Sequence, residues 1–496
     1  MGNGQNRSRP NDEKSAGVYE SQCRSLAWGA SSSNSMKRGF LGDNHIHSGA
    51  QEHINSKILK EGTETMTTQI PNRFQAEYAE RTLLKTFSMT GDLMLQVEIN
   101  FADNLDYDRM CQAFRLALIA EPILGCRFVH NSHRPYWERI PEVDTAHLQI
   151  FEDESQYEEY KHSTIDPQLG PAFNGAILTQ DNGDTLLLKI AHEAADAGGA
   201  KDVAYLIAEL YTKLGQDPDF IPEPNLKGSR SIWQVLRMVP WHAFFKICIN
   251  YLVETLAVVI PMKSHNPLLE PAEKDDFQYV TRHIPAEQVR KIAEYGKAQQ
   301  AKLNDLILAA FFRALMQTNW DKTTTLRSAM TVDLRRWYLP EGRAEAICNL
   351  SGLEIIGLGK HPGANFNDTL DKIVSFTHAR KKSWFGLHSY LGIIVFLSWW
   401  SYKKVTQFSQ AIVKQMLVNK TLFPIFTNLG PIEESRLVFD KQPTSAIVLV
   451  PTGFPPFFGL GVSGYKGMLT LSAGTFKSTR TTVENMLDII LAELPS

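Results

Sequence analysis

Cysteine is scarce in this sequence and follows no pattern. Cys23, Cys111, Cys126, Cys248 and Cys348 are scattered over 496 positions, odd in number and without a Cys-x-x-Cys spacing. That excludes a disulfide framework and a cysteine zinc site, and it implies reduced thiols and a cytoplasmic location. An excess of charge is also missing. Lys and Arg total 51 against 54 Asp and Glu, a formal charge of −3, so there is no electrostatic basis for nucleic-acid binding. No apolar run near the start lies between a basic end and a small-residue cleavage site, so a secretory signal is not expected. Met1-Gly2 opens like a myristoylation site, but Asn6 stands where Ser or Thr is required. No repeat of solenoid period is visible.

What is present describes a globular protein, with 43% hydrophobic and 21% charged residues. The length favours two or three domains. Residues 1–65 are rich in Ser, Asn, Gly and charge and are expected to be disordered, because they bury too little surface to offset ordering entropy. Met66 lies just before the first folded-looking sequence and is an alternative start. His45 and His47 read as solvated tail residues, although such a pair is also a metal-binding pattern.

Order is expected from Phe74. Leu93 to Phe101 reads as a strand. Asp106 is placed to cap a helix running to Ala120, with Met110, Phe114 and Leu118 on one side. Glu121 to Val129 turns into another strand. Ala176–Thr179 and Thr185–Ala191, joined across Asp181-Asn182-Gly183-Asp184, predict a hairpin. After Gly199 the spacing of Val203, Leu206, Ile207, Leu210 and Leu214 predicts an amphipathic helix with Lys201, Glu209 and Lys213 on its polar face. In the second half, Leu303, Leu306, Ile307, Ala310 and Ala314 mark a helix, and Leu326 to Arg335 alternates as a strand. Late strands are expected at Ala446–Val450 and Met468–Ser472, and a closing helix carries Val483, Met486, Leu487, Ile490, Leu491 and Leu494.

The stretch from Ile190 to Gly199 carries the chemistry. The second hairpin strand ends at His192, Asp196 follows four residues later, and Gly198-Gly199 opens the helix. An imidazole with an ordinary pKa of about 6.5 is available as a base near neutrality. A lone histidine ending a strand is equally a structural residue.

This stretch resembles the His-His-x-x-x-Asp-Gly motif of the condensation-domain and chloramphenicol acetyltransferase-like superfamily. His192 falls on its second, catalytic His and Asp196 on its Asp, while Ala191 replaces the first His and Ala197 the Gly. Other blocks match in order: Glu121-Pro122-Ile123-Leu124 through Arg127, Leu303-Asn304-Asp305, Thr331-Val332-Asp333-Leu334-Arg335, Cys348-Asn349-Leu350-Ser351, Thr427-Asn428-Leu429-Gly430-Pro431 and Gly461-Val462-Ser463-Gly464-Tyr465. The plant signature Asp-Phe-Gly-Trp-Gly is absent, which disfavours a plant-type phenolic acyltransferase.

The resemblance implies an α/β fold of two acetyltransferase-like domains in a V shape with an active-site channel between them. Its divisions would be a tail at 1–70, a domain at 71–235 carrying the motif, an apolar helix and linker at 236–276, and a second domain at 277–496. It implies acyl transfer from acyl-CoA or a phosphopantetheine-bound thioester to a hydroxyl or amine, with no metal and no bound cofactor. His192 would be the base and Asp196 a structural support paired with Arg335, or failing that Arg127. Gly198 and Gly199 would supply any left-handed bend that Ala197 cannot. Asn428 would line the channel or donate to an oxyanion, or simply form a turn before Gly-Pro. An acyl carrier protein would act in trans. The alternative is a non-catalytic relative that binds a lipid or carrier protein.

Two apolar stretches remain. Trp241 to Ile260 repeats His242, Lys246, Asn250 and Glu254 every four residues, predicting a helix with a narrow polar stripe. Trp384 to Trp400, flanked by lysines, would span about 25 Å as a helix, short of the roughly 30 Å hydrocarbon core. It suits either a buried helix or a peripheral membrane contact through 384–400.

Overall fold

The computed structural model describes residues 70–81, 91–92, 94–131, 134–141, 148–250, 263–266, 277–318, 320–388, 390, 400–419 and 421–495. The tail, linker residues 267–276, residues 251–260 of the first apolar stretch, and Ser389 and 391–399 of the second therefore lie outside the described residues.

The first half begins with β1 (Arg73–Gln75), β2 (Met94–Asn100), α1 (Tyr107–Ala120), β3 (Cys126–Val129), β4 (Tyr136–Arg139) and β5 (Leu148–Phe151). It continues with α2 (Glu154–His162), β6 (Phe173–Leu178), β7 (Thr185–Ala191) and α3 (Ala197–Gln216). The second half contains β8 (Phe277–Ile284), α4 (Ala286–Ala298), α5 (Leu303–Gln317), β9 (Leu326–Asp333), α6 (Leu334–Tyr338), β10 (Ser351–Gly359) and α7 (Phe366–Lys381). It closes with α8 (Tyr402–Val418), β11 (Ile425–Pro431), β12 (Ser445–Leu449), β13 (Gly459–Tyr465), β14 (Met468–Phe476) and α9 (Arg480–Glu493). The chain is mixed α/β, as the sequence predicts.

Asp106 caps α1 by accepting the Arg109 N–H at 3.1 Å, and α1 presents Met110, Phe114 and Leu118 to a core shared with α3. The hairpin forms as expected, with β6 and β7 antiparallel. They belong to a five-stranded sheet in the order β12-β2-β7-β6-β5. A six-stranded sheet runs β10-β9-β11-β13-β14-β8, and β1, β4 and β3 form a three-stranded one. One strand breaks the division by sequence: β12 pairs with β2 antiparallel, so a segment from the second half completes the first sheet. Correspondingly, Ala446 and Val448 lie in one core with Val97 and Ile190, while α5, α9 and the second sheet enclose another.

Three local expectations are corrected. The helix after the motif starts at Ala197, ahead of both glycines, because Asp196 occupies the capping position. The strand from Leu326 stops at Asp333, whose side chain accepts the Arg335 N–H at 3.1 Å and starts α6, so Arg335 sits on a helical turn and not on the strand. Lys201, assigned to the polar face of α3, is buried and donates to the carbonyls of Leu429 and Pro431 at 2.8 and 3.3 Å. In the first apolar stretch, residues 243–250 are helical, with Ala243 and Ile247 buried and Trp241, Phe245 and Ile249 exposed.

Candidate active site

β7 pairs along its whole length with β2, Ala191 lying opposite Met94, and this delivers His192 at the strand end. Ala191 is buried in the apolar core, so the position that the motif gives to its first histidine is filled by packing. His192 itself is only partly buried. A turn closed by the Ala194 N–H on the Ala191 carbonyl then leads to Asp196.

Asp196 is 3% exposed and fully occupied. Its Oδ1 accepts the Gly199 N–H at 2.9 Å, and its Oδ2 accepts the Leu350 N–H at 2.7 Å and Arg335 Nη1 at 2.8 Å. Burial pushes the carboxyl up, but the Arg335 charge and these donors outweigh it and hold Asp196 below the usual carboxylate range. Arg335, 2% exposed, also donates Nη2 to the Cys348 carbonyl at 2.6 Å. The pair therefore ties the start of α3 to α6 and to residues 348–350. Arg127 is elsewhere, paired with Glu138 at 2.8 Å.

The glycines act through space and not through unusual dihedrals. None of Ala197, Gly198 or Gly199 has a positive φ, so Ala197 is tolerated as the first residue of the helix. A Cβ on Gly198 would stand 2.7 Å from Arg335 Nη1, and one on Gly199 would meet the Cys348 carbonyl oxygen at 2.8 Å and Ala195 Cβ at 2.9 Å.

His192 is held from the same segment. Asn349 Nδ2 donates to the His192 carbonyl at 3.2 Å and lies 3.3 Å from its Nδ1. The orientation of the Asn349 amide is determined, because its Oδ1 accepts the Ser351 N–H at 3.3 Å; the flipped amide would set donor against donor and acceptor against acceptor. Burial holds the ring below the usual imidazole range, against the opposing effects of its own carbonyl, the Asp196 charge and the Ala195 carbonyl. At neutral pH the ring is uncharged.

The structure thus brings together His192, Asp196, Arg335, Gly198 and Gly199. Asn428 bonds elsewhere: Nδ2 donates to Asn304 Oδ1 at 2.8 Å, and Oδ1 accepts the N–H of Gly430, a residue with φ of +73° at a register shift between β11 and β13. That is a turn role. Asn349 carries the support that sequence reasoning did not assign; its only signal was membership of the Cys348–Ser351 block. A cavity of about 580 Å³ lies along α3, bordered by Glu121, Asp202, Tyr205 and Arg436, but His192 is not among its lining residues. Among the described residues no group of three or more His, Cys, Asp or Glu is placed to hold a metal ion, and no helix is long and apolar enough to cross a membrane.

Comparison with solved structures decides the fold. A trichothecene 15-O-acetyltransferase from Fusarium sporotrichioides matches with a TM-score of 0.64 at 12% identity, covering 85% of this chain and 95% of that one. The first condensation domain of the calcium-dependent antibiotic synthetase matches at 0.59 and 13% identity, covering 85% and 95%. This is the condensation-domain and chloramphenicol acetyltransferase-like fold. Polyketide synthase associated protein 5 from Mycobacterium tuberculosis shares it, with a TM-score of 0.57, 14% identity, and coverage of 86% of this chain and 100% of that one. No protein-family profile matches the chain. Two uncharacterised proteins from M. tuberculosis strains, MT2362 and Rv2305, are each 21% identical over 263 residues, 51% of this chain; the chain spans about three fifths (59%) of their length.

Proposed function

We propose that the protein is an acyltransferase that moves an acyl group from a thioester, either acyl-CoA or a phosphopantetheine-loaded carrier acting in trans, to a hydroxyl or amine. The reaction would take place in a channel between the two halves, with His192 as general base. The observation that carries this reading is a partly accessible histidine at a strand end, held below the usual imidazole range by burial and positioned by Asn349 and by the buried Asp196–Arg335 pair. The acyltransferase and condensation domains with the same fold add to it.

In this mechanism the His192 imidazole takes the proton of the acceptor as its oxygen or nitrogen attacks the thioester carbonyl carbon. The tetrahedral intermediate then collapses with cleavage of the C–S bond, and the imidazolium returns the proton to the departing sulfur. Positioned proton transfer of this kind contributes roughly 10²- to 10⁴-fold in rate. Asp196 has no free oxygen for substrate; it sets the turn that carries His192.

The test is to incubate wild type and His192→Ala with a panel of acyl-CoAs and alcohols or amines, and to follow thiol release. Turnover by wild type that falls by two orders of magnitude or more in the variant supports the proposal. The buried Ala191 favours a second reading, a non-catalytic protein that binds a lipid or acyl carrier. Acyl-CoA or carrier binding by both proteins without turnover in either would replace the first reading with the second.

A further inference from the structure

The 233–250 segment exposes a set of apolar side chains that the candidate site does not use. Trp241, Phe245 and Ile249 are 78%, 72% and 60% exposed and recur every four residues, so they form one stripe along the helical 243–250 segment. Trp233 and Met238 are also exposed just before it. Ala243 and Ile247 anchor the opposite side of the same helix in the core, so the stripe is held outward by packing.

The sequence on either side of the stripe carries charge of one sign, although Arg230 is paired with Glu80 and Arg380 with Glu354. From Pro224 to Val253 the sequence has Lys227, Arg230, Arg237 and Lys246 and no acidic residue, and from Lys372 to Ile432 it has eight Lys and Arg and again no acidic residue. These two acid-free stretches meet: Asn250 Nδ2 donates to the Ser383 carbonyl at 3.4 Å, which brings the end of the stripe to the basic run Arg380-Lys381-Lys382.

We propose that this face docks on an anionic lipid surface, with Trp241, Phe245 and Ile249 entering the interfacial layer and Arg237, Lys246, Lys381 and Lys382 facing the headgroups. Trp and Phe on one face of a helix with Lys and Arg beside them is the composition that interfacial helices use. Basic residues near an anionic leaflet each add to the attraction. A second copy of the chain is the poorer occupant, because a self-complementary contact would oppose two surfaces of the same positive sign. The inference is independent of His192 and of the acyl-transfer reading.

The test is vesicle flotation of the full chain with phosphatidylcholine alone and with about 30% phosphatidylserine added. Wild type is expected to float with the anionic vesicles and to be released by high salt. The double variant Trp241→Glu/Phe245→Glu should lose about tenfold or more of the bound fraction, and Arg237→Glu/Lys246→Glu should lose binding to a similar extent. Equal urea midpoints for the variants and wild type establish that folding is intact, and Phe245→Ala supplies a milder version of the same loss. Absence of wild-type binding to either vesicle would overturn the proposal, as would equal binding to both or full binding by the variants. So would a wild-type dimer in solution that the Trp241→Glu/Phe245→Glu change dissociates.

Discussion

Replacing Arg335 by Met tests the physical core of the candidate site. The substitution keeps a buried aliphatic stem and removes the guanidinium that Asp196 Oδ2 accepts at 2.8 Å and that reaches the Cys348 carbonyl at 2.6 Å. Asp196 keeps only the N–H groups of Gly199 and Leu350. Removing one partner of a buried pair leaves an uncompensated charge and costs about 3–5 kcal/mol. At about 2.1 cal/mol/K per residue, residues 70–496 unfolding as one unit would lose roughly 3–6 °C in Tm. The pH dependence supplies the sign. In wild type the carboxyl lies below its ordinary value, so its contribution is fully present above the unfolded pKa of about 3.9 and is lost as pH falls through the folded one. In the variant, burial prevails and raises the carboxyl, so the native state takes up a proton and the deficit shrinks between pH 7 and pH 5. Urea unfolding followed by tryptophan fluorescence measures this, with Asp196→Asn and the double variant completing a cycle. A deficit below about 1 kcal/mol, or one that does not change with pH, would refute the account of a desolvated, obligatory pair.

Gly199→Ala is expected to cost about 1–3 kcal/mol, because its methyl meets a backbone carbonyl and Ala195 and neither can retreat; an unchanged urea midpoint would count against the space argument. With His192 held below the usual imidazole range, the acid limb of the kcat/KM profile should have its midpoint below about 6.5, and a midpoint at or above 7 would contradict the site's electrostatics. Lys201→Met should destabilise by about 1–3 kcal/mol by leaving the Leu429 and Pro431 carbonyls without their donor. Burial lowers the Lys201 ammonium to about 8. Between that value and the unfolded pKa of about 10.4 the unfolded chain holds more protons, so wild type gains on the variant as pH rises through this window. Denaturation midpoints taken at neutral and alkaline pH decide it.

The hairpin that carries His192 was legible because alternation and an Asn-Gly turn are local signals, and the Asp106 cap was legible for the same reason. Arg335 was reachable only through the resemblance, since nothing within Thr331–Arg335 reveals that the side chain turns inward to Asp196. Lys201 shows the limit of periodicity: the 3.6-residue pattern places it on the polar face, yet two carbonyls of a strand more than two hundred residues away receive its ammonium. Asn349 escaped because its function lies in two hydrogen bonds to a residue 157 positions earlier. The glycines were correctly singled out for a reason that does not apply, since their value is the absence of a Cβ and not access to positive φ.

The strand exchange between the halves sets a schedule for synthesis. β2 emerges early, but its neighbour β12 follows 345 positions later, measured from Asn100 to the Ser445 that it bonds. At roughly 5–20 residues per second, a ribosome leaves that edge of the first sheet without its partner for about 20–70 s. During that interval the row of backbone donors and acceptors from Gln96 to Asn100 is open to any other strand. A nascent chain stalled before Ser445 would carry a complete-looking motif on an incomplete sheet, so His192 becomes part of a finished sheet only after Leu449 has been made.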